Sequence, residues 1–214
     1  MRRSTVGLLL VLCLLALDAG AGTISGRVQL GRANARGQGD AGVADAVVWV
    51  ERVPDKVEAK LAGGSGWWIF RHAADTRPQR IVQADARFRP RVLATVAGHD
   101  VEFRNLDRVY HNVFSVSSAR RFDTGKTAPG HADTIAFRRS GVVNVLCDVH
   151  PQEVAYVVVV PNHVMARPDS LGRYELPRLP EGDYVVHAWH PRCGELRRDA
   201  SMPRKGDITL DLRF

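Results

Sequence analysis

The sequence has few lysines, few cysteines and almost no helical periodicity. Only four of its 30 basic residues are lysine, and they do not join the arginines in a basic helix. The three cysteines do not have zinc-finger spacing either. Because both features are missing, we expect no nucleic-acid partner. The formal net charge of +7 could attract an acidic protein partner, or it could serve solubility alone.

The common signatures of enzymes are also missing. The chain has no Ser/His/Asp arrangement, no phosphate-binding glycine loop and no paired carboxylates beside the histidine and cysteine residues discussed below. We therefore expect that the protein is not an enzyme.

A long apolar run occurs only near the N-terminus. Arg2 and Arg3 precede the apolar residues 6–17, and Ala19-Gly20-Ala21 follows them. A basic start, a short apolar segment and a small-residue cleavage site are typical of a secretory signal peptide. The run is short for a membrane span, so an uncleaved anchor is the weaker alternative. We predict a signal peptide over residues 1–21, a periplasmic location and no membrane insertion after cleavage.

The rest of the chain has the pattern of an all-β protein. Short alternating or β-branched runs are separated by Gly, Pro and Asp, which is typical of a β-sandwich or barrel. Two stretches read as insertions, the Gly-rich residues 31–42 and residues 57–78, which contain Trp67-Trp68. Strands are predicted at residues 23–30, 46–52, 91–96, 101–105, 112–116, 134–137, 142–146, 156–160, 174–176, 183–189 and 207–212.

The two ends of the mature chain resemble two halves of one domain. G-T-I-S-G-R-V at 22–28 and G-V-A-D-A-V-V-W-V at 42–50 stand near the start, and D-S-L-G-R-Y-E-L-P at 169–177 and L-P-E-G-D-Y-V-V at 179–186 near the end. In this order they resemble a carboxypeptidase-regulatory-like (transthyretin-like) domain. The resemblance implies a discontinuous β-sandwich, residues 22–56 and 161–214, interrupted by a second domain at 79–160. Two sandwiches in tandem are the alternative.

The segment at 79–160 contains the residues that could carry chemistry. It includes V-E-F-R-N at 101–105, H-N-V-F-S at 111–115 and G-V-V-N-V-L-C-D-V-H at 141–150. A β-branched strand thus leads to Cys147, and His150 follows three residues later. One thiolate and two imidazoles, here Cys147, His150 and His111, form the ligand set of a trigonal copper site with a weak axial ligand. A soft thiolate stabilises Cu(I) and imidazole accepts both oxidation states, so this set permits single-electron transfer.

These motifs resemble the plastocyanin/amicyanin-like cupredoxin family. More narrowly, the whole chain resembles the bacterial cupredoxins with regulatory-like segments that are often described as methylamine utilization proteins. The resemblance implies a cupredoxin Greek-key β-sandwich at 79–160, one mononuclear copper ion and the ligands His111, Cys147 and His150. It also implies that Asn112 joins the two ligand loops by hydrogen bonding. A redox partner protein is then possible, and its identity cannot be read from the sequence.

The sequence departs from this family at the axial position. The shortest family loops read C-x-x-H-P-x-M, whereas this chain has Cys147-Asp-Val-His150-Pro-Gln-Glu153. Glu153 is therefore the tentative axial ligand, and a carboxylate favours Cu(II) over Cu(I) more than a thioether does. We expect a lowered reduction potential and a spectrum unlike that of a standard blue site. Gln152 could instead turn its amide oxygen inward, and Cys, two His and Glu could also hold Zn(II).

Other interpretations of these residues remain open. Cys147 and Cys193, the two cysteines of the mature chain, could form a disulfide in an oxidising compartment. The site could also serve copper capture, delivery or sensing, or the frame could be a structural β protein that needs no metal. His187 and His190 in H-A-W-H are expected to be surface or partly packed residues, with a second metal site as the alternative. We expect His99, His131 and His163 to lie in solvated loops.

Overall fold

The computed structural model describes residues 21–31, 42–63 and 79–214. The described chain is almost entirely β-structure, as the alternating sequence runs predict. One α-helix, α1 (Asp55–Ala62), and a 3₁₀ turn at Val43–Asp45 interrupt the strands. The strands are β1 Ala21–Gly22, β2 Ile24–Gln29, β3 Val47–Val50, β4 Gln79–Gln83, β5 Phe88–Arg89, β6 Val92–Val96, β7 Asp100–Asn105, β8 His111–Ser117, β9 Arg120–Thr127, β10 Ala132–Ala136, β11 Gly141–Cys147, β12 Val154–Val160, β13 Met165–Ala166, β14 Arg173–Glu175, β15 Leu179–Pro180, β16 Gly182–His190, β17 Gly194–Met202, β18 Ile208–Thr209 and β19 Leu212–Arg213.

Two sheets form a sandwich in the middle of the chain. One has four strands in the order β10-β7-β4-β5, and the other has five in the order β6-β12-β11-β8-β9. Most pairs are antiparallel, but β4 pairs with β7 and β6 with β12 in parallel. Between the sheets lies a core that includes Phe103, Phe137, Val143 and Val145, each almost fully buried. Cys147 belongs to this core and so enters the site from its inner side.

Strands from the two ends of the described chain pair with each other. β2 pairs with β14, β18 and β19, and β3 pairs with β13 and β16. These strands enclose a second core that contains Ile24, Leu176, Leu179 and Leu212. The strands that precede the central sandwich in sequence are thus completed by strands that follow it. The domain boundaries drawn from the sequence stay a prediction.

A third apolar layer joins the central sandwich to the sheet that contains β3. Along β12, Val157 and Val159 face the core of the central sandwich, whereas Val158 and Val160 face this third layer with Trp189. Successive side chains of a strand point to opposite faces, so a strand covered on both faces needs apolar residues at every position. Each fully buried valine contributes about 1.5–3 kcal/mol to folding. The unbroken valine run of β12 follows from this arrangement.

The helix α1 and several strands were not predicted from the sequence. α1 overlaps the start of the expected linker at 57–78, and its Val57 and Leu61 pack against the second core. This i, i+4 pair is too short a pattern to stand out among polar neighbours. β9 and β17 were missed because each carries mostly exposed side chains.

Some sequence predictions fall outside the described part of the chain. The signal peptide, apart from its last residue, and Trp67-Trp68 lie outside the described residues. Among the helices of the described ranges, none is long and apolar enough to cross a membrane.

Candidate metal centre

Four side chains converge at one end of the central sandwich. Nδ1 of His111 lies 3.5 Å from Sγ of Cys147 and 3.3 Å from Nδ1 of His150. Oε1 of Glu153 lies 2.9 Å from Nδ1 of His150 and 3.4 Å from Nδ1 of His111. One ligand atom from each of the four residues falls within 4.8 Å of all the others. The structure thus brings together all four residues that the sequence predicts as metal ligands.

Two adjacent strands and one tight loop account for this convergence. β8 and β11 are antiparallel neighbours, and Cys147 at the end of β11 is opposite Val113 near the start of β8. His111, the first residue of β8, therefore lies beside Cys147. After Cys147 the chain turns, and the backbone N–H of Glu153 donates to the carbonyl of His150 at 2.9 Å. This turn returns His150 and Glu153 toward the same point before β12 begins.

Three of the four side chains are shielded from solvent. His111, Cys147 and Glu153 are at most 5% exposed, whereas the side chain of His150 is 28% exposed. Burial raises the pKa of the Cys147 thiol, although the backbone N–H groups of His150, Val149 and Asn112 at the sulfur act in the opposite direction. The thiol therefore keeps its proton at neutral pH without a metal, and metal binding has to displace that proton.

A carboxylate fixes the orientation of the His111 ring. Oδ2 of Asp107 lies 3.0 Å from Nε2 of His111, and the backbone N–H groups of Asp85 and Ala86 donate to the same carboxylate at 2.7 and 3.2 Å. Burial raises the pKa of Asp107, but these hydrogen bonds outweigh it, so the net shift is downward. An ionised Asp107 accepts the Nε2 hydrogen and leaves the Nδ1 lone pair directed at the cluster. A carboxylate that accepts from the outer nitrogen is the usual support for a metal-binding histidine.

Glu153 is held by a hydrogen bond from the facing sheet. Nε2 of Gln83, a residue of β4 that is 2% exposed, donates to Oε2 of Glu153 at 2.7 Å. Oε1 is fully buried and receives no hydrogen bond, although two imidazole nitrogens lie close to it. A buried carboxylate oxygen without a donor is costly unless a cation neutralises it. The side chain of the neighbouring Gln152 is exposed, so the alternative in which Gln152 turns inward is not what the structure shows.

Asn112 links the two segments that carry the cluster. Its Nδ2 donates to Oδ2 of Asp148 at 3.0 Å, and its Oδ1 accepts from the hydroxyl of Thr124 at 3.4 Å. Asp148 directly follows Cys147, so this contact joins the start of β8 to the loop after β11.

The structure does not support the disulfide alternative. Cys147 lies in the cluster, Cys193 is half-buried after β16, and both are free thiols. His187 and His190, which the sequence suggested to be at the surface or partly packed, are packed and both buried. Of the supporting residues, Asp107 lies between the motifs at 101–105 and 111–115, and no role was predicted for it from the sequence. Gln83 carried no sequence signal, because its partner is 70 positions away.

The donor set fits one transition-metal ion. Two imidazoles, a thiolate and a carboxylate suit a late first-row metal such as copper or zinc. The buried Oε1 of Glu153 supports this fit, since one cation at the centre of the cluster would neutralise it together with the thiolate.

Comparisons with known proteins give partial structural similarity only. No family model matches the chain, and no curated protein matches it. A copper-containing nitrite reductase (NirK) from Thermus scotoductus SA-01 has 26% identity and a TM-score of 0.37, over 38% of this chain and 22% of that chain. A methionine-to-alanine mutant of amicyanin in the Cu(I) form has 21% identity and a TM-score of 0.37, over 38% of this chain and 81% of that chain. A purple cupredoxin from Nitrosopumilus maritimus has 24% identity and a TM-score of 0.35, over 38% of this chain and 98% of that chain. The chain thus spans about a fifth of the nitrite reductase.

Proposed function

We propose that this chain is a cupredoxin-like protein that binds one copper ion and transfers single electrons. The ligand atoms are Nδ1 of His111, Sγ of Cys147, Nδ1 of His150 and Oε1 of Glu153. The observation that carries the proposal is the buried Oε1 of Glu153, which has no hydrogen-bond donor and faces two imidazole nitrogens and the Cys147 thiol. Copper supplies the one-electron couple, and the chain supplies a fixed set of ligands around it.

The partly exposed His150 is the proposed route for electrons. The other three ligands are buried, so His150 gives the shortest path from the cluster to solvent. Apolar side chains within two residues of the ligands in sequence are exposed, namely Val109, Tyr110 and Val149. Exposed apolar residues around a functional site favour contact with a protein partner. This surface is where we expect a redox partner to bind.

The first experiment asks whether the cluster binds copper through the thiolate. Absorption and paramagnetic-resonance spectra of copper-loaded protein should show an intense thiolate-to-copper band. That band should vanish in Cys147→Ala and persist in Cys193→Ala, which removes the free thiol that lies outside the cluster in the described part of the chain. No such band in the unmodified protein, or a band that depends on Cys193, would overturn the proposal. Preferential retention of zinc would replace copper with zinc in the same site.

A second experiment tests the role of Glu153. Glu153→Met replaces a hard carboxylate by a soft thioether, which favours Cu(I), so the reduction potential should rise and the spectrum should approach that of a blue site. Gln152→Met places the same side chain one residue earlier, where the side chain is exposed, and should leave both unchanged. If Glu153→Met leaves the potential where it was, Glu153 is not a ligand.

The carboxylate also favours a second candidate, copper capture or delivery without redox cycling. A harder donor stabilises Cu(II) and so exchanges redox reversibility for affinity. The reduction potential and the electron self-exchange rate separate the two functions. A site that periplasmic electron donors cannot reduce is not an electron carrier.

The finer features predicted from the sequence complete the proposal. These are export to the periplasm, a regulatory-like sandwich formed by residues 22–56 and 161–214, and a likeness to methylamine utilization proteins. The pairing of β2 and β3 with strands after the central sandwich supports the discontinuous unit. Mass spectrometry of the exported protein tests the signal peptide, since cleavage near Ala21 should remove the preceding residues.

A further inference from the structure

Two histidines meet at the end of the central sandwich opposite the candidate metal centre. β12 begins beside Glu153 and runs for seven residues, about 20 Å, to Val160. β6 and β12 are parallel neighbours with Val96 opposite Val160, so the segments that follow them lie side by side. His99 follows β6 and His163 follows β12. Their ring centroids are 5.7 Å apart, and the ring planes make an angle of 62°.

A carboxylate from α1 holds His163 in one orientation. Oε2 of Glu58 accepts the backbone N–H of His163 at 2.9 Å, and Oε1 lies 2.6 Å from Nδ1 of the same residue. Because an ionised carboxylate can only accept, the hydrogen of the neutral ring resides on Nδ1. The lone pair is then on Nε2. The sequence suggested that His163 lies in a solvated loop, and this expectation was wrong, because Glu58 holds the ring. The ring is oriented as metal-binding histidines are.

The remaining ring nitrogens of the pair are available. Within the described part of the chain, no hydrogen bond reaches Nε2 of His163 or either ring nitrogen of His99. His99 is exposed, and the side chain of His163 is 12% exposed, so an ion can approach from solvent. Two imidazoles that share a metal ion at about 2.0–2.1 Å from each nitrogen have ring centres about 4.5–6.5 Å apart, depending on the angle between the two metal–nitrogen bonds. The observed separation of the rings matches this spacing.

We propose that His99 and His163 form a second metal site, with Glu58 as its positioning residue. The site takes a divalent late first-row ion through two imidazole nitrogens and completes its coordination with water. Cu(II) binds such nitrogen sites more tightly than Ni(II) or Zn(II), so Cu(II) is the metal ion that we expect at this site. The site has no thiolate. This proposal does not depend on copper binding at Cys147.

The test is a Cu(II) titration of the mature protein that is monitored by calorimetry and by paramagnetic resonance. The His99/His163 site should take one equivalent with nitrogen hyperfine structure and without a thiolate band. His99→Ala and His163→Ala should each lower the affinity of this site for Cu(II) by about tenfold or more, and Glu58→Gln should lower it by about 10–100-fold. His131→Ala is the matched control, because His131 is exposed and its Nδ1 contacts the carbonyl of Pro129, away from this pair.

The two proposals fail in different ways in this experiment. If the unmodified protein shows no thiolate band but still binds one Cu(II) ion through nitrogen atoms, the proposal for the Cys147 site fails and the proposal for the His99/His163 site stands. Binding that is unchanged in both His99→Ala and His163→Ala would overturn the second site. His99→Ala keeps the test valid even if His163→Ala disturbs the contact with α1, because the His99 side chain is exposed. Circular dichroism checks that each variant folds.

Discussion

His111 and His187 are both buried and both lie beside carboxylates, yet their surroundings differ in one respect. The ring of His187 has a carboxylate at each nitrogen, Glu195 at 2.5 Å from Nδ1 and Glu51 at 3.1 Å from Nε2. Arg197 donates to the same oxygen of Glu51 at 2.6 Å. The ring of His111 has a hydrogen-bonding carboxylate, Asp107, at Nε2, whereas its Nδ1 faces the cluster of sulfur, imidazole nitrogen and carboxylate oxygen, with Oε1 of Glu153 at 3.4 Å.

The difference separates a structural histidine from a candidate ligand. Because a carboxylate lies within hydrogen-bond distance of each nitrogen of His187, a metal ion could bind this ring only by displacing one of them. His187 also stacks on Trp49, with ring centroids 5.1 Å apart, which adds packing. Burial and nearby carboxylates therefore do not identify a metal site. The informative feature is a group of ligand atoms from four side chains that all face one another, within 4.8 Å.

The largest expected effect is stabilisation of the fold by copper. At a free copper concentration 1,000 times the Kd, binding raises the free energy of unfolding by about 4 kcal/mol. In a His99→Ala background, which removes the other proposed copper site, scanning calorimetry should show this gain in the otherwise unmodified protein and in His187→Ala, and should show none of it in Cys147→Ala. A gain that survives in Cys147→Ala and disappears in His187→Ala would reverse the comparison.

The next effect concerns the carboxylates that support each histidine. Asp107→Asn removes the charged acceptor at Nε2 of His111 and should weaken copper binding by about 10–100-fold. Glu195→Gln makes the corresponding change at His187 and should leave copper affinity unchanged. A competition titration with a chelator measures both variants. Equal losses would mean that the two histidines are not distinguished by metal binding.

His187→Ala should act on stability alone. It removes two hydrogen bonds and the stacking on Trp49, so we expect a loss of about 1–3 kcal/mol in the free energy of unfolding, measured with urea. His187→Phe keeps an aromatic ring on Trp49 and loses the hydrogen bonds, which divides the effect into its two parts. A variant as stable as the unmodified protein would show that this network is dispensable.

The smallest expected effect is a pH dependence that arises at a third buried histidine, His190. Burial lowers the pKa of His190 below its ordinary value of 6.5, and the ring contacts the carbonyl of Gly42 and the backbone N–H of Arg192. The folded chain then binds fewer protons than the unfolded chain. The stability contributed by His190 is therefore complete above about pH 6.5 and falls as pH drops through the lowered folded pKa. Thermal unfolding measured at pH 7 and at pH 5 gives the stability that each protein loses over this range. This loss should be smaller in His190→Gln than in the unmodified protein, whereas His131→Gln, which changes an exposed ring, should behave like the unmodified protein.

Much of the site could be predicted from the sequence because its residues are close in sequence or follow strands. Cys147, His150 and Glu153 lie within one loop, and His111 stands in a recognisable strand motif. The contacts that support them could not be predicted in the same way. Gln83 reaches Glu153 from a strand of the other sheet, and the side chain of an isolated glutamine in a polar segment carries no pattern. Whether each ligand atom is shielded depends on packing between sheets, which spacing along the chain does not determine.

The fold shows the same division between local and long-range information. Strands with β-branched alternation, such as β8 and β11, were predicted within a residue or two at each end. β9 and β17 were missed because an exposed edge strand lacks the apolar alternation on which the prediction depends. The parallel pairing of β6 with β12 also carries no local signal, although it is this pairing that brings His99 and His163 together.

The valines of β12 have a consequence for any attempt to use the copper site elsewhere. Val158 and Val160 pack with Trp189 and Trp49 in the third layer, so this layer is shared by the central sandwich and the outer strands. In a fragment that contains only residues 79–160, these valines would form an exposed apolar surface together with Val92 and Val96. Such a surface promotes aggregation. We therefore expect that the central sandwich is not a stable, soluble domain by itself. Transplanting it into another protein would require polar replacements on one side of β6 and β12, while the side that supports Cys147 is left untouched.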